Sequence, residues 1–367
     1  MKKYLRLIIP FAFLGILCGC LEDSDSSSAD QFSSLDARIE ETMEKYKFPG
    51  VQVAIMKNER LVYQNSFGFA EVESSARVTN KSLFRIASIS KPITAIGILK
   101  LVKDSKLELD SKVFGEGAIL GTKFGAKPYS EAVKSITVRH LLEHKAGGWP
   151  NDANDPMFLA IHYPQHQLIG YVLDTRPLSN PPGSTIIYSN FGYCILGRII
   201  EEVSGENYET YIKKNVLEPY GITSMHIGRN FDHDKHENEV KYYNRHSDYS
   251  PYQIDVKRMD SGGGWIGSAT DLLRFMARID RLHQKEDMLD EYFLNQMYFR
   301  FSNWFHYGAM SGTSGVLERV NDNFSFSVLA NGNSLEFGTS LDAFRRVIYQ
   351  DLQTRTDWPD HDLFDNQ

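Results

Sequence analysis

Strand-like alternation lies near both ends of this 367-residue chain and is almost absent between them, and this constrains the fold more than any other feature. Val51, Val53 and Ile55 alternate as in a strand, Asn58-Glu59 marks a turn, and Leu61 to Phe67 runs back as a hairpin partner. Alternation returns only after 305, where Gly315 to Val320 and Phe324 to Ala330 flank Asn321-Asp322-Asn323 as a second hairpin. Helical spacing brackets both hairpins: Leu35, Ile39 and Met43 before the first, then Leu341, Phe344, Ile348 and Leu352 after the second. From about 105 to 285 the chain reads as helices and long loops. Thr137 to Leu142 opens as a capped helix, and Tyr193 to Val203 is helical up to Gly205. Asn207 to Leu217 and Thr270 to Leu282 read as two more helices. The expectation is an α/β fold. One mainly antiparallel sheet, from segments 50–68 and 306–331, is flanked on one face by the N- and C-terminal helices, and an all-α domain is inserted. The α/β part then covers about 35–87 and 300–355, and the helical part about 88–299.

Between these parts lies Phe84-Arg85-Ile86-Ala87-Ser88-Ile89-Ser90-Lys91-Pro92. Ile89, Ile93, Ile96 and Leu99 follow helical spacing, and Pro92 is tolerated only in a first turn, so the helix starts near Ser88. Positions i and i+3 share a helix face, which places the Lys91 amine beside the Ser88 hydroxyl. A serine needs a base to become a nucleophile, and a lysine can serve where burial and positive potential favour its neutral form. By itself Ser-x-x-Lys is short, and alone it reads more plainly as a capping serine with a surface lysine.

The first twenty residues differ from the rest. Lys2, Lys3 and Arg6 precede an apolar run from Leu7 to Leu17 that ends at Cys18-Gly19-Cys20. Such a run is a secretory signal, too short to span a membrane. Leu17 to Cys20 also resembles a bacterial lipobox, which makes residues 1–19 a lipoprotein signal peptide and Cys20 the lipid acceptor; an ordinary signal peptide or uncleaved anchor is the alternative. Residues 20–34, acidic and serine-rich, read as a disordered tether to the envelope membrane. Cleavage before Cys20 removes three cations and takes the net charge from −7 to about −10, which argues against a nucleic-acid partner. Cys194 is then the remaining cysteine, in an apolar helical run that reads as core, so no internal disulfide can form.

Two further stretches stand out. In Pro181-Pro182-Gly183-Ser184-Thr185-Ile186-Ile187-Tyr188-Ser189-Asn190, a tyrosine and an asparagine sit on a proline- and glycine-held loop just before a helix. A tyrosine near a lysine can relay a proton, and an asparagine amide can hold a carbonyl; a core tyrosine and a capping asparagine are the plainer reading. Trp304-Phe305-His306-Tyr307-Gly308-Ala309 opens the first C-terminal strand, with His306 facing the cleft and Gly308 admitting substrate to the strand edge.

Together with Ser88 to Lys91, in this order, these motifs resemble those of the serine β-lactamase and penicillin-binding-protein superfamily over about residues 35–350. The nearest branch looks like class C β-lactamases, their esterase relatives and D-Ala-D-Ala carboxypeptidases. The resemblance implies Ser88 as acylated nucleophile, Lys91 as its base and Tyr188 as proton relay, without a cofactor or metal. It implies Asn190 on the substrate amide, His306 in place of a third-motif lysine, and an oxyanion hole from the N–H groups of Ser88 and a residue past Gly308, most naturally Ala309. The substrate would be a small or peptidoglycan-like ester, amide or D-amino-acid peptide in the bacterial envelope. His306 weakens the alternative of β-lactam hydrolysis, and a non-catalytic envelope binding protein is the other alternative. Two departures remain. Lys145 and Ala146 stand in a loop that is more usually Leu-x-x-His-x-Ser-Gly, and Tyr307 is bulky where Thr or Ser is common, though alternation turns it away from His306.

Other polar clusters read as structural. Phe231 to Glu237 lacks metal-ligand spacing and reads as a solvated loop, while Gly262-Gly263-Gly264 reads as a close backbone turn beside the site.

Overall fold

The computed structural model describes residues 31–159, 163–244, 250–282 and 284–366; the expected signal, Cys20 and most of the expected tether lie outside them. The tether expected through Ser34 ends sooner, because Phe32 is buried and helix α1 spans Ser33–Tyr46. Two tight connections then build the first hairpin. Lys47 adopts a left-handed conformation (φ 61°) that ends α1, and Asn58 and Glu59 (φ 51° and 58°) turn strand β1 (Gly50–Lys57) into β2 (Arg60–Glu71). A short β3 (Ala76–Arg77) lies beyond β2.

The C-terminal strands are β4 (Trp304–Met310), β5 (Thr313–Arg319) and β6 (Phe324–Ala330). They join the first hairpin in one antiparallel sheet of order β3-β2-β1-β6-β5-β4, with Val51 opposite Ala330 and Ile55 opposite Phe326. Period-two alternation sends Val51, Val53 and Ile55 to one face, where they pack with Leu35 and Ile39 of α1. Phe344 and Ile348, on the closing helix Phe337–Thr354, complete the same layer. Each such side chain contributes about 1.5–3 kcal/mol when fully buried. Ala54 and Met56 face the other way, into the larger core under the helical block.

That inserted block is not all-α. His226–Ile227 and Phe84–Arg85 flank Trp265–Gly267 in a three-stranded antiparallel sheet, and Tyr243–Asn244 pairs with Gly332–Asn333. These strands are two or three residues long, too short for alternation to show. Two expected helices are also shorter than expected. The segment from Thr270 is helical over Ala269–Met276 and turns at Arg281 (φ 62°), and the segment from Asn207 widens after Ile212 into a π-type turn. The helix over Val138–Leu142 starts as expected, with Thr137 Oγ1 accepting from His140 N.

A buried acidic group ties the first hairpin to the block. Glu59 is buried in the β1–β2 turn, accepts a hydrogen bond from Lys285 N (2.6 Å) and shares one with Asp280. Burial, then the Asp280 charge, raises Glu59 to about 8; burial likewise raises Asp287 to about 7. Unfolded carboxyls titrate near about 4, so above that pH the folded chain holds more protons than the unfolded one. Stability should therefore fall as pH rises from about 4 towards 8 and level off beyond. Melting temperatures between pH 5 and 9 test this: Glu59→Gln should flatten the decline, and an equally steep decline in that variant would refute it.

Candidate active site

The nucleophile turn is held from two sides. Ala87–Ile89 forms a single 3₁₀ turn that leads directly into α2 (Ser90–Lys103), so Ser88 stands at the helix start, as its sequence context implies. Ala87 is buried with φ 46°, a conformation costly for a residue with a Cβ and kept only where surroundings enforce it. Gly308 of β4 is one enforcing neighbour: a Cβ there would lie 2.2 Å from the Ile86 carbonyl oxygen. The glycine thus lets β4 press on the nucleophile turn. This corrects the expectation that Gly308 opens the strand edge to substrate, and Gly308 is not among the residues lining the pocket.

Lys91 is 1% exposed, and three acceptors surround its amine: Ser88 Oγ (3.0 Å), Asn190 Oδ1 (2.8 Å) and the Gly262 carbonyl (2.6 Å). An ammonium has three protons, so two can stay on the fixed carbonyls while the third is exchanged with Ser88. The 262–264 glycines serve this arrangement by presenting a carbonyl close to the site. The Tyr188 ring lies 4.9 Å from the Lys91 nitrogen, and the Tyr193 ring 5.6 Å.

Asn190 stands in the first turn of α3 (Asn190–Ser204), which Ser189 caps by accepting from Gly192 N (3.0 Å). Its amide is buried and engaged at both ends. Oδ1 accepts from Lys91, while Nδ2 donates to Asp155 Oδ2 (2.7 Å) and Asn151 Oδ1 (3.2 Å). The expected role of binding a substrate amide does not fit this engagement. Asn151 lines the pocket instead.

That pocket, about 300 Å³, is lined by Ser88, Asn151, Tyr188, His306, Ala309 and the flanking residues Phe305 and Tyr307. A larger hollow, about 790 Å³ and lined from Ser111 to Lys134, holds none of these groups. Ala309 and Ser88 meet at the pocket, and β4 is the edge strand there, with β5 as its one sheet neighbour. Tyr307 points to the opposite face, as alternation requires, and donates to Asp342 Oδ1 (2.5 Å). Burial, then the Lys91 charge, pushes His306 down to about 4, so it is neutral at neutral pH.

The loop that departs from the usual motif supports Tyr188. The His144 ring lies 4.3 Å from the Tyr188 ring, its carbonyl accepts from Ile187 N (2.7 Å), and its Nδ1 accepts from Ser189 N (3.2 Å). Burial, then Lys91, drives His144 down to about 3, which keeps Nδ1 available as an acceptor. His144, Gly147 and Trp149 all have positive φ (57°, 92° and 60°), and this kinked path delivers Asn151 and Asp155 to the site. Sequence reasoning missed those two residues. The signal was a polar run, Asn151 to Asp155, after Gly147-Gly148-Trp149-Pro150, with no period to separate it from solvated loop.

Known proteins share sequence and fold with this chain. Penicillin-binding protein 4* of Bacillus subtilis (strain 168) is 32% identical over 228 residues, 60% of this chain and 43% of that protein. Protein flp of Staphylococcus aureus (strain MRSA252) is 26% identical over 208 residues, 57% of this chain and 40% of that protein. The chain thus aligns with less than half the length of either relative. Among solved structures, the octameric penicillin-binding protein homologue from Pyrococcus abyssi superposes with a TM-score of 0.69 at 24% identity, covering 86% of this chain and 76% of that one. The D-amino acid amidase from Ochrobactrum anthropi SV3, complexed with L-phenylalanine amide, gives 0.68 at 19% identity, covering 87% and 100%. At such identities these two speak for the fold. The Beta-lactamase family profile matches residues 35–341, and the chain belongs to that family.

Proposed function

We propose that the chain is a serine hydrolase working through an acyl-enzyme on Ser88. The observation that carries this reading is the buried Lys91 amine, 3.0 Å from Ser88 Oγ and fixed by two carbonyls. Lys91 takes the Ser88 proton as Oγ attacks the substrate carbonyl, and the N–H groups of Ser88 and Ala309 receive the developing oxyanion. Tyr188, beside both groups, returns a proton to the departing oxygen or nitrogen; water then releases the acyl group by the reverse proton path. Substrates are esters, amides or D-amino-acid peptides of the bacterial envelope, in line with the names of the penicillin-binding-protein and amidase relatives. Neutral His306 in place of a lysine argues for the esterase, amidase or carboxypeptidase branch over β-lactam hydrolysis. A panel of p-nitrophenyl esters, nitrocefin and D-alanyl peptides and amides tests this. Turnover of esters or D-amino-acid amides above nitrocefin is expected. Failure of a fluorophosphonate to label the protein would instead favour a binding protein.

We also propose that Cys20 carries the lipid anchor. Cys20→Ala should move the protein from the membrane to the soluble fraction or stall its processing, and unchanged membrane association at normal mature size would refute the anchor.

A further inference from the structure

We propose that Asp155 is the positioning residue of this site: it fixes the orientation of the Asn190 amide and supplies the buried counter-charge for Lys91. The inference rests on the reading of Lys91 as base for Ser88. Asp155 is wholly buried, and both its carboxyl oxygens accept N–H groups, Oδ1 from Met157 N (2.8 Å) and Oδ2 from Asn190 Nδ2 (2.7 Å). A carboxylate cannot donate and an ammonium cannot accept. Of the two ways to place the Asn190 amide, one satisfies both neighbours: nitrogen towards Asp155, oxygen towards Lys91. The carboxylate therefore decides which atom meets the base, two residues removed from the nucleophile.

The same chain of contacts links charges. Lys91, the Asn190 amide and Asp155 form a buried cation–amide–anion row, and proton transfer from Ser88 creates the cation at one end. Lys91 is also faced by the rings of Tyr188 and Tyr193 and by His144 and His306, both neutral at neutral pH. Asp155 is also influenced by Asp152, which opposes its charge, and by Arg258, which is committed to the carbonyls of Met157, Leu159 and Tyr163. Burial works against ionisation of Asp155, while Met157 N, Asn190 and Lys91 favour it. Its anion is thus held in place by the groups it serves.

The test is the rate at which a fluorophosphonate phosphonylates Ser88, the Oγ–P bond forming as fluoride leaves, followed by intact-mass spectrometry from pH 5 to 10. Asp155→Asn keeps the shape but places an N–H against another N–H in either rotamer, at Asn190 or at Met157. Labelling should slow about 10- to 100-fold, the scale of a hydrogen bond to a buried charge. Its acid limb should move to lower pH, since the protonated site has lost its anion. The exchange variant Asp155→Asn/Asn190→Asp restores the chain in reverse: the new amide donates to the new carboxylate, which accepts from Lys91. Asn151, exposed at the pocket, is free to turn its amide to match. The exchange variant should recover most of the lost rate above its acid limb, which moves back up to or beyond the wild-type pH because the carboxylate now touches the Lys91 amine. Wild-type rate and profile in Asp155→Asn would overturn the proposal. So would an exchange variant that melts like the wild type yet labels as slowly as the single one. Should Asp155→Asn not fold, the exchange variant is compared with the wild type: one that melts like the wild type yet labels about 10-fold or more slower above its acid limb would overturn the proposal. No adduct on Ser88 in the wild-type protein would overturn the hydrolase reading itself, a separate result.

Discussion

Ser88→Ala is expected to abolish covalent labelling by a fluorophosphonate, and Lys91→Ala to slow it by about 10²- to 10⁴-fold or more with the fold intact. Helix geometry places a base beside the serine hydroxyl, and the Lys91 amine lies 3.0 Å away. Removing that amine also leaves the Asn190 and Gly262 oxygens without their donor. Tyr188→Phe should cost less, but still severely. Ser90 offers a control on the same helix. Its Oγ accepts from Trp265 N (3.3 Å), so Ser90→Ala should lower stability by about 1–3 kcal/mol while labelling persists. Intact-mass and peptide mapping check all four. An adduct that survives in Ser88→Ala means another nucleophile.

Gly308→Ala should be nearly as damaging without removing any chemical group. Its new Cβ would meet the Ile86 carbonyl oxygen at 2.2 Å, and neither partner is the end of a flexible side chain. Either β4 or the turn holding Ala87 and Ser88 must move. Overpacking of this kind costs about 1–3 kcal/mol of stability. The larger loss is in rate, because Ala309 and Ser88 must stay at the spacing that an oxyanion needs, and each donor contributes about 100- to 1,000-fold. Thermal melting together with labelling kinetics checks this. Wild-type labelling in a folded Gly308→Ala protein would show that the turn tolerates displacement.

The sheet was legible because its evidence is local. Val51, Val53 and Ile55 alternate, Phe344 and Ile348 repeat with a helix, and each pattern survives without knowing its partner. Ser88 and Lys91 were legible for the same reason: three residues along a helix is a fixed vector. Asn190 shows where that reasoning stops. Its position was found, but not that Lys91 and Asp155 occupy both ends of its amide. Gly308 was likewise identified with the wrong neighbour, since nothing near it in sequence reveals Ile86. Asp155 was invisible: a carboxylate in a polar run reads as solvated until the kinks at His144, Gly147 and Trp149 carry it inside. The short strands of the inserted block escaped because two residues define no period.

The pairing of β1 with β6 has a temporal meaning. Val51 finds its partner in Ala330, and the turn before Ser88 is pressed by Gly308, so the first hairpin and the nucleophile helix emerge from synthesis long before what completes them. Contacts so remote in sequence make for slow, late closure. A nascent chain can carry Ser88 and Lys91 side by side while the pocket wall and β4 are still missing. The finished pocket is thereby withheld until nearly the whole polypeptide has been made, because its last wall is among the last segments to be synthesised.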